Sequence, residues 1–259
     1  MKTSRIEAAW GGQAECQGCS IRDLALFADL QASDFNLIHL PIDELSLDPG
    51  QAVYHAEDEG HAVFTLRSGL IKLVQYLPDG SQRIVRLLRP GDTLGLEILV
   101  GQTYEHSALV LRPALLCRIP QDVVNRLSVE TPRLHSQLMK RWHQSVRQAD
   151  EWLTELSTGN AKARVARLLL TLASTGQQLA GRDSTGRDAV PYCRPTRLED
   201  SEAYCDLFSR EDVGAMLGVT TETASRTIAE FRRQGVLTDV QLNRYRCDIP
   251  ALRRIAGDI

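Results

Sequence analysis

The first half of the chain alternates apolar and polar positions with the two-residue period of β-strands. Within residues 62–88, AVFTLRSGLIKLVQYLPDGSQRIVRLL, short runs are separated by Ser68-Gly69 and by Pro78-Asp79-Gly80. The second separator is a strong hairpin turn signal. Further strands are predicted over 51–55 and 108–119, with another turn at 90–92. From about Asp34 to Pro120 the pattern therefore predicts an antiparallel barrel or jelly roll.

The hydrophobic period then changes to that of helices. Residues 132–157 have no internal proline or glycine and predict one long helix. Apolar and small side chains recur along it at alternating spacings of four and three residues: Leu138, Trp142, Ser145, Ala149, Trp152 and Leu156. So narrow a seam is typical of helix pairing, and none of these side chains is charged. The alternative is a helix that lies on its own barrel. A second amphipathic helix is predicted over 161–175, and a long surface loop over 176–205.

Residues 207–237 predict two short helices joined by a tight turn. Ser209 can cap the first helix, and Gly218 stands where a positive φ would end it. Thr220 or Thr221 can cap the second, which buries its later apolar positions. This pattern is a helix-turn-helix, whose second helix enters the major groove of DNA. The alternative is a helical hairpin with solvated charges. A hairpin wing over 240–247 and a short helix from residue 250 are predicted to follow.

The second helix begins with side chains that can touch DNA. Glu222 can accept a hydrogen bond from cytosine N4, and Arg226 can donate two to guanine O6 and N7. Ser225 can reach a base edge or a phosphate. Arg232 and Arg233 suit backbone phosphates, which set affinity and not sequence. The other predicted contacts are the threonines at the helix start: Thr220, Thr221 and Thr223.

Composition limits the function classes. The 259 residues are 43% hydrophobic and 24% charged, which allows two globular domains. No apolar run approaches the roughly 20 residues of a membrane helix, and no secretory signal is evident, so we expect a cytoplasmic protein without membrane contact. Residues 161–259 hold 15 Lys/Arg against 13 Asp/Glu, while residues 1–160 hold 15 against 20. A chain this acidic should bind DNA through a local patch and as a dimer.

The order of barrel, long helix and winged helix resembles the Crp/Fnr family of bacterial transcription factors, from about Asp29 onward. The most specific stretches are GDTLGLEILVGQTYEHSA at 91–108 and GVTTETASR at 218–226. The resemblance implies a homodimer that binds double-stranded DNA and contacts RNA polymerase. The exposed turn at 78–80 is a candidate polymerase contact, or simply a good turn. Glu222, Ser225 and Arg226 match the Fnr branch, which implies a TTGAT-N4-ATCAA palindrome.

On this resemblance the fold is α+β, with a jelly-roll barrel like a cyclic-nucleotide-binding domain. We divide it into a CxxC segment (1–28), a barrel sensor domain (29–122), a dimerisation helix (123–158) and a winged helix-turn-helix DNA-binding domain (159–259). A small-molecule-binding or enzymatic barrel with a helical appendage is the alternative of another class. However, the sequence has no Ser/His/Asp set, phosphate loop or paired carboxylates at a convincing spacing, so we do not predict an enzyme.

The cyclic-AMP branch of the family binds the nucleotide phosphate through an arginine followed by serine, and the ribose through a glutamate that follows a glycine. Here His106 precedes Ser107, and Leu96 follows Gly95. Leucine accepts no ribose hydrogen bond, and a neutral imidazole is a poor substitute for a bidentate guanidinium. We therefore expect no cyclic nucleotide.

Cys16 and Cys19 form a CxxC motif, and Cys117 lies alone in the last predicted barrel strand. In a cytosolic protein this motif favours metal, cluster or redox chemistry. Fnr-type oxygen sensors hold a [4Fe-4S] cluster with an N-terminal CxxC, a third cysteine several residues on, and a fourth in the barrel. Three of those positions match here. Ala25 and Phe27 stand at the two spacings that the family uses for the remaining ligand.

Three interpretations of the cysteines remain open. A [4Fe-4S] cluster could take a non-standard fourth ligand, such as Asp23, another carboxylate, a histidine or solvent, in place of the usual fourth thiolate. The cysteines could form a thiol redox or zinc site. They could also have no sensing role, with Cys117 a small buried strand residue. The predicted function is an Fnr-like regulator that responds to oxygen or redox state, and the alternative is a cofactor-free regulator controlled by abundance or a partner.

Overall fold

The computed structural model describes residues 10–13, 26–31, 33–38, 40–175 and 202–257. Its contacts divide the chain into two compact units. The sheet unit comprises residues 1–75 and 85–147, and the helical unit comprises residues 76–84 and 148–259. None of the helices in these described ranges is long and apolar enough to cross a bilayer.

The sheet unit is built on seven antiparallel strands: β1 Trp10–Gln13, β2 Asp43–Leu47, β3 Ala52–Tyr54, β4 Ala62–Tyr76, β5 Gln82–Leu88, β6 Thr93–Leu94 and β7 Ser107–Pro120. Their order is β1-β2-β7-β4-β5, with β3 also paired to β7 and β6 to β4. Short 3-10 turns cover Asp34–Leu37 and Leu96–Val100. The predicted hairpin between β4 and β5 is confirmed, since the Leu77 amide donates to the Ser81 carbonyl at 2.8 Å.

The predicted strand break at Ser68-Gly69 is wrong, because β4 continues through it. The register against β7 shifts on both sides of Ser68, as at a β-bulge. Gly69 has φ +96°, and a Cβ there would lie 2.3 Å from the Pro113 carbonyl oxygen of β7. Glycine at this position allows the neighbouring strand to approach closely. It does not mark the end of a strand.

Two helices follow β7, namely α1 Gln121–Glu130 and α2 Pro132–Glu151, and a π-helical turn over Trp152–Leu156 extends α2. The helix predicted over 132–157 is thus present, with a π-helical last turn. Thr131 separates α1 from α2 with extended backbone (φ −130°, ψ 98°), which the ring of Pro132 favours. Leu127 and Leu134, one from each helix, are fully buried in the core of the sheet unit.

The helical unit contains α3 Ala161–Thr175, β8 Glu202–Asp206, α4 Arg210–Leu217, α5 Thr221–Arg233, β9 Leu237–Gln241, β10 Arg244–Asp248 and α6 Ile249–Ala256. The helix over 161–175, the wing hairpin and the final helix match the predictions. β8 corrects the predicted loop over 176–205: it pairs with β10, so its partner lies some forty residues away in sequence. The rest of that loop, 176–201, falls outside the described residues.

Candidate functional site

The turn between α4 and α5 is fixed by local hydrogen bonds, as predicted. The Ser209 side chain accepts from the Asp212 amide at 3.0 Å and caps α4. Gly218 ends α4 with φ 65°, and Thr220 caps α5 by accepting from the Thr223 amide at 3.1 Å. These contacts fix where each helix begins or ends, because each satisfies backbone groups that a helix end leaves open.

Gly214 is a structural residue that the sequence analysis did not identify. It lies within α4, and a Cβ there would approach the Val219 carbonyl oxygen to 2.8 Å. The Val219 amide donates to the Gly214 carbonyl at 3.1 Å. The turn therefore folds back tightly over α4 at this point. The sequence did carry a signal for this role, because a glycine inside a helical pattern is otherwise unfavourable.

α5 has a buried face and an outward face. Ala224, Thr227, Ile228 and Phe231 are buried against the helical unit. Glu222 and Arg226 point outward, with side chains 77% and 73% exposed, and Ser225 is half-buried between them. The structure thus brings the three predicted base-reading residues onto the accessible side of one helix.

Ion pairs organise the charges of α5. Arg226 donates to Glu222 one turn earlier on the same helix. Arg232 donates to Asp239 of β9, with 2.9 Å between Nε and Oδ2. Lys162 of α3 lies 2.6 Å from Glu230, and this hydrogen bond lowers the pKa of that carboxyl.

The three predicted threonine contacts divide into two kinds. The hydroxyls of Thr220 and Thr223 lie 2.9 Å apart and are hydrogen-bonded to each other, while Thr220 also caps the helix. Thr221 is the first residue of α5 and is exposed. Amides at a helix start carry partial positive charge, so this end of α5 suits an anionic oxygen.

In the sheet unit, the positions that hold a nucleotide in the cyclic-AMP branch are occupied by the protein's own contacts. The Ser107 hydroxyl accepts from the Ala56 amide at 3.0 Å. Leu96 is buried. Burial lowers the pKa of His106, so its imidazole is neutral at pH 7, although Glu105 and Glu97 act in the opposite direction.

Aromatic rings fill the space next to Gly95. Tyr54 and Tyr104 stack with their ring centroids 3.8 Å apart. The Tyr104 hydroxyl donates to the Ala62 carbonyl at 2.7 Å, and burial raises the pKa of Tyr104 to about 12. A Cβ at Gly95 would lie 2.9 Å from the Tyr104 ring. The neighbourhood of Gly95 is therefore closely packed by aromatic rings.

Of the predicted cysteine ligands, only Cys117 falls within the described residues, since Cys16 and Cys19 lie outside them. Cys117 is 8% exposed and its neighbour Leu116 is fully buried. Successive side chains of a strand point to opposite faces, so β7 is covered on both sides here. Among the described residues, no cluster of three His, Cys, Asp or Glu side chains is placed to hold a metal ion.

The predicted dimer seam divides between two faces of α2 and its π-helical extension. Leu156 is buried, and Leu138 packs against the core of the sheet unit. Ser145 and Trp152 are half-buried. The exposed apolar positions form a series with spacings of three and four residues that shares Trp142 and Ala149 with the predicted seam: Met139, Trp142, Val146, Ala149 and Leu153.

Comparison with known proteins assigns each of the two units to a domain family. Residues 44–130 match the cyclic nucleotide-binding domain family, and residues 163–255 match the Crp-like helix-turn-helix domain family. An anaerobic regulatory protein of Aggregatibacter actinomycetemcomitans is 28% identical over 238 residues, which cover 92% of this chain and 86% of that protein. A fumarate and nitrate reduction regulatory protein of Vibrio cholerae is 29% identical over 235 residues, 90% of this chain and 86% of that protein.

The fold is also similar to that of a solved transcription regulator. A transcriptional regulator of the CRP family from Thermus thermophilus superposes with a TM-score of 0.66 at 25% identity, covering 82% of this chain and 96% of that one. The predicted fold class, an antiparallel sheet domain followed by helices and a C-terminal helix-turn-helix, is confirmed. The chain is not an enzyme but belongs to the Crp/Fnr family of transcription regulators.

Proposed function

We propose that this chain is a cytoplasmic, homodimeric regulator that reads a TTGAT-N4-ATCAA palindrome through α5 and responds to oxygen or redox state. The observation that carries the DNA-binding part is the outward face of α5, where Glu222, Ser225 and Arg226 are accessible while the opposite face is buried. The names of the relatives, anaerobic and fumarate and nitrate reduction regulators, support the same class.

Base reading follows from the Glu222–Arg226 pair. An acceptor and a bidentate donor stand one turn apart, and a C·G base pair offers the complementary cytosine N4 donor and the guanine O6 and N7 acceptors. The ion pair is exposed and therefore weak, so base edges can replace it at little cost. Ser225 lies between the two and reaches a base edge or a phosphate.

Backbone contacts position the helix. Thr221 lies at the start of α5, where the backbone amides form the positive end of the helix dipole, which favours a phosphate. Arg232 and Arg233 lie in the last turn of α5 and are exposed. Such contacts fix register and add affinity without reading sequence.

The palindrome requires two copies of α5, and the exposed apolar series on α2 supplies an interface. Met139, Trp142, Val146 and Leu153 are 53%, 41%, 49% and 63% exposed. Their spacing is that of a coiled-coil seam, so two α2 helices side by side would bury it. RNA polymerase is a further proposed partner, through the exposed turn at residues 78–80.

The DNA proposal is tested by fluorescence anisotropy with the full-length protein, under anaerobic and aerobic conditions. We expect tighter binding to a duplex carrying the palindrome than to a duplex of equal length in which each half-site guanine is replaced by adenine. For a specific protein the difference is typically about 1–3 kcal/mol for each altered base pair. Equal binding to both duplexes, in air and without it, would show that the assigned palindrome is wrong.

The redox proposal rests on the sheet register around Cys117. Cys117 lies opposite Glu44 of β2, and Glu44 lies opposite Gly12 of β1. Gly12 is thus two strands from Cys117, roughly 10 Å at ordinary strand spacing. Cys16 follows four residues later, and an extended chain of that length reaches about 13 Å. The length of chain between Gly12 and Cys16 therefore permits Cys16 to approach Cys117.

Thiolates at Cys16, Cys19 and Cys117 suit an iron-sulfur cluster, with Asp23, another carboxylate, a histidine or solvent as the fourth ligand. Such a cluster would supply oxygen-labile redox chemistry. The burial of Cys117 supports a site shielded from solvent. The same three thiolates also suit a redox-active thiol site or a zinc site. The experiment that follows distinguishes these two sites from an iron-sulfur cluster.

Anaerobic purification followed by ultraviolet-visible spectroscopy and iron and zinc analysis tests this site. If a cluster is bound, we expect a brown protein with broad absorption at about 400 nm that bleaches in air. Cys117→Ser should remove the colour, whereas Cys247→Ser, which alters a buried thiol in the helical unit, should keep it. A colourless, iron-free wild type that binds the palindrome equally in air and without it would favour a cofactor-free regulator.

A further inference from the structure

Arg232 is held by an acidic residue of the wing. It lies in the last turn of α5, and Asp239 lies in β9. Its Nε is 2.9 Å from Asp239 Oδ2, and its Nη2 donates to the same oxygen. The two side chains are 48% and 52% exposed. The edge of the guanidinium formed by Nε and Nη2 is therefore already occupied by a carboxylate of the same chain.

We propose that Asp239 is a positioning residue that restrains Arg232 and limits the sequence-independent part of DNA affinity. This inference rests on the proposed DNA-binding function and adds a regulator of its phosphate contacts. Asp239 takes no part in base reading. It competes with the phosphate backbone for one cation on the recognition helix.

The competition has a definite direction. An exposed ion pair is weak, so a phosphate can displace Asp239 from Arg232. The displaced carboxylate then remains beside the DNA backbone, and like charges at an interface oppose binding. Arg232 should consequently add less affinity than its neighbour Arg233, although both lie in the same exposed turn.

The consequence for the protein is a limit on its retention by bulk DNA. Phosphate contacts strengthen binding to every sequence, whereas Glu222 and Arg226 act only at the matching site. A restrained Arg232 lowers affinity for specific and nonspecific DNA alike. The ratio of the specific to the nonspecific affinity stays unchanged, while the protein spends less time bound to nonspecific DNA.

The full-length protein is tested with two duplexes, one with and one without the palindrome, over a series of salt concentrations. Asp239→Asn should bind both duplexes roughly three- to tenfold more tightly, and its salt dependence should steepen by about one unit for each half-site. The matched control is Asp206→Asn, which removes the same charge from β8, where Asp206 lies 3.7 Å from Arg244. β8 and β9 are opposite edges of the three-stranded sheet, so this control should bind like wild type.

A double-mutant cycle isolates the pair. Arg232→Ala should weaken binding more in the Asp239→Asn background than in wild type, because only there is Arg232 fully available to phosphate. Thermal melting checks that each variant is folded.

Unchanged or weaker binding by folded Asp239→Asn, or equal Arg232→Ala losses in both backgrounds, would overturn the inference. The duplex without the palindrome reports on Asp239 even if the palindrome assignment fails. Conversely, palindrome binding without an Asp239 effect would leave the proposed function intact.

Discussion

Arg226 and Glu222 form an ion pair one turn apart on the outward face of α5, and both side chains are more than two-thirds exposed, at 73% and 77%. A pair this open to solvent is weak and exchanges readily. It nevertheless keeps the guanidinium over the first turns of the helix, where the base edges are expected. We therefore expect the two residues to act as one reading unit.

Arg226→Ala should lower affinity for the palindrome by about 1–3 kcal/mol and relax specificity at one guanine in each half-site, because a bidentate contact is lost. Anisotropy with the matched and guanine-to-adenine duplexes measures both effects. The control is Arg126→Ala on α1, which breaks another exposed Arg–Glu pair of the same spacing. If Arg226→Ala discriminated between the two duplexes as well as wild type does, Arg226 would not read that base.

Val146→Glu should dissociate the dimer, because it places two like charges in the exposed apolar series on α2. The dimer dissociation constant should rise by about a hundredfold or more, as an unpaired charge is costly to bury. Analytical ultracentrifugation measures it. Gln144→Glu adds the same charge to an exposed polar position of that helix and should leave the dimer intact. Dissociation by Gln144→Glu alone would place the interface on another face.

Gly69→Ala should destabilise the sheet unit by about 2–4 kcal/mol. The added Cβ would lie 2.3 Å from the Pro113 carbonyl oxygen, and the backbone at φ +96° is already unfavourable for alanine. Gly80→Ala is the control, since Gly80 has φ +80° but open space around its Cα. The Gly80→Ala variant should lose only about 1 kcal/mol of its free energy of unfolding, because only the backbone conformation is affected. Similar losses in thermal or urea unfolding of both variants would argue against close strand contact at Gly69.

His106 should make the protein less stable in acid. Because burial lowers its folded-state pKa below the ordinary 6.5, the unfolded chain takes up a proton at a higher pH than the folded chain does. The penalty is absent above about pH 6.5 and grows as the pH falls from there through the lowered pKa.

Thermal unfolding at a series of pH values checks this expectation. His106→Gln should flatten the decline of the melting temperature below about pH 6.5. His135→Gln, which alters an exposed histidine of α2, should retain it. An unchanged decline in His106→Gln would assign the acid sensitivity to other groups.

The helix-turn-helix was predictable because its determinants are local. Ser209, Gly218 and Thr220 act on backbone groups within a few residues, so spacing along the chain was enough to place both helices and the turn. β8 was missed for the opposite reason. It is a strand only because β10 pairs with it from a distant part of the chain.

The dimer seam shows a limit of periodicity. Leu138 and Met139 are adjacent, and each begins a series with spacings of three and four residues. Only packing against the sheet unit covers Leu138 and leaves Met139 exposed. Sequence alone could not decide which series the protein's own core uses, because both have helical spacing.

By itself, the sequence determined the succession of a sheet region and a helical region, the capped turn and the identity of the side chains at the start of α5, since these depend on neighbours along the chain. Tertiary structure decided which of those side chains point outward, that Asp239 holds Arg232, and that Cys117 is buried two strands from Gly12. Each of these depends on contacts between strands and helices, and the packing that creates them is a property of the whole fold.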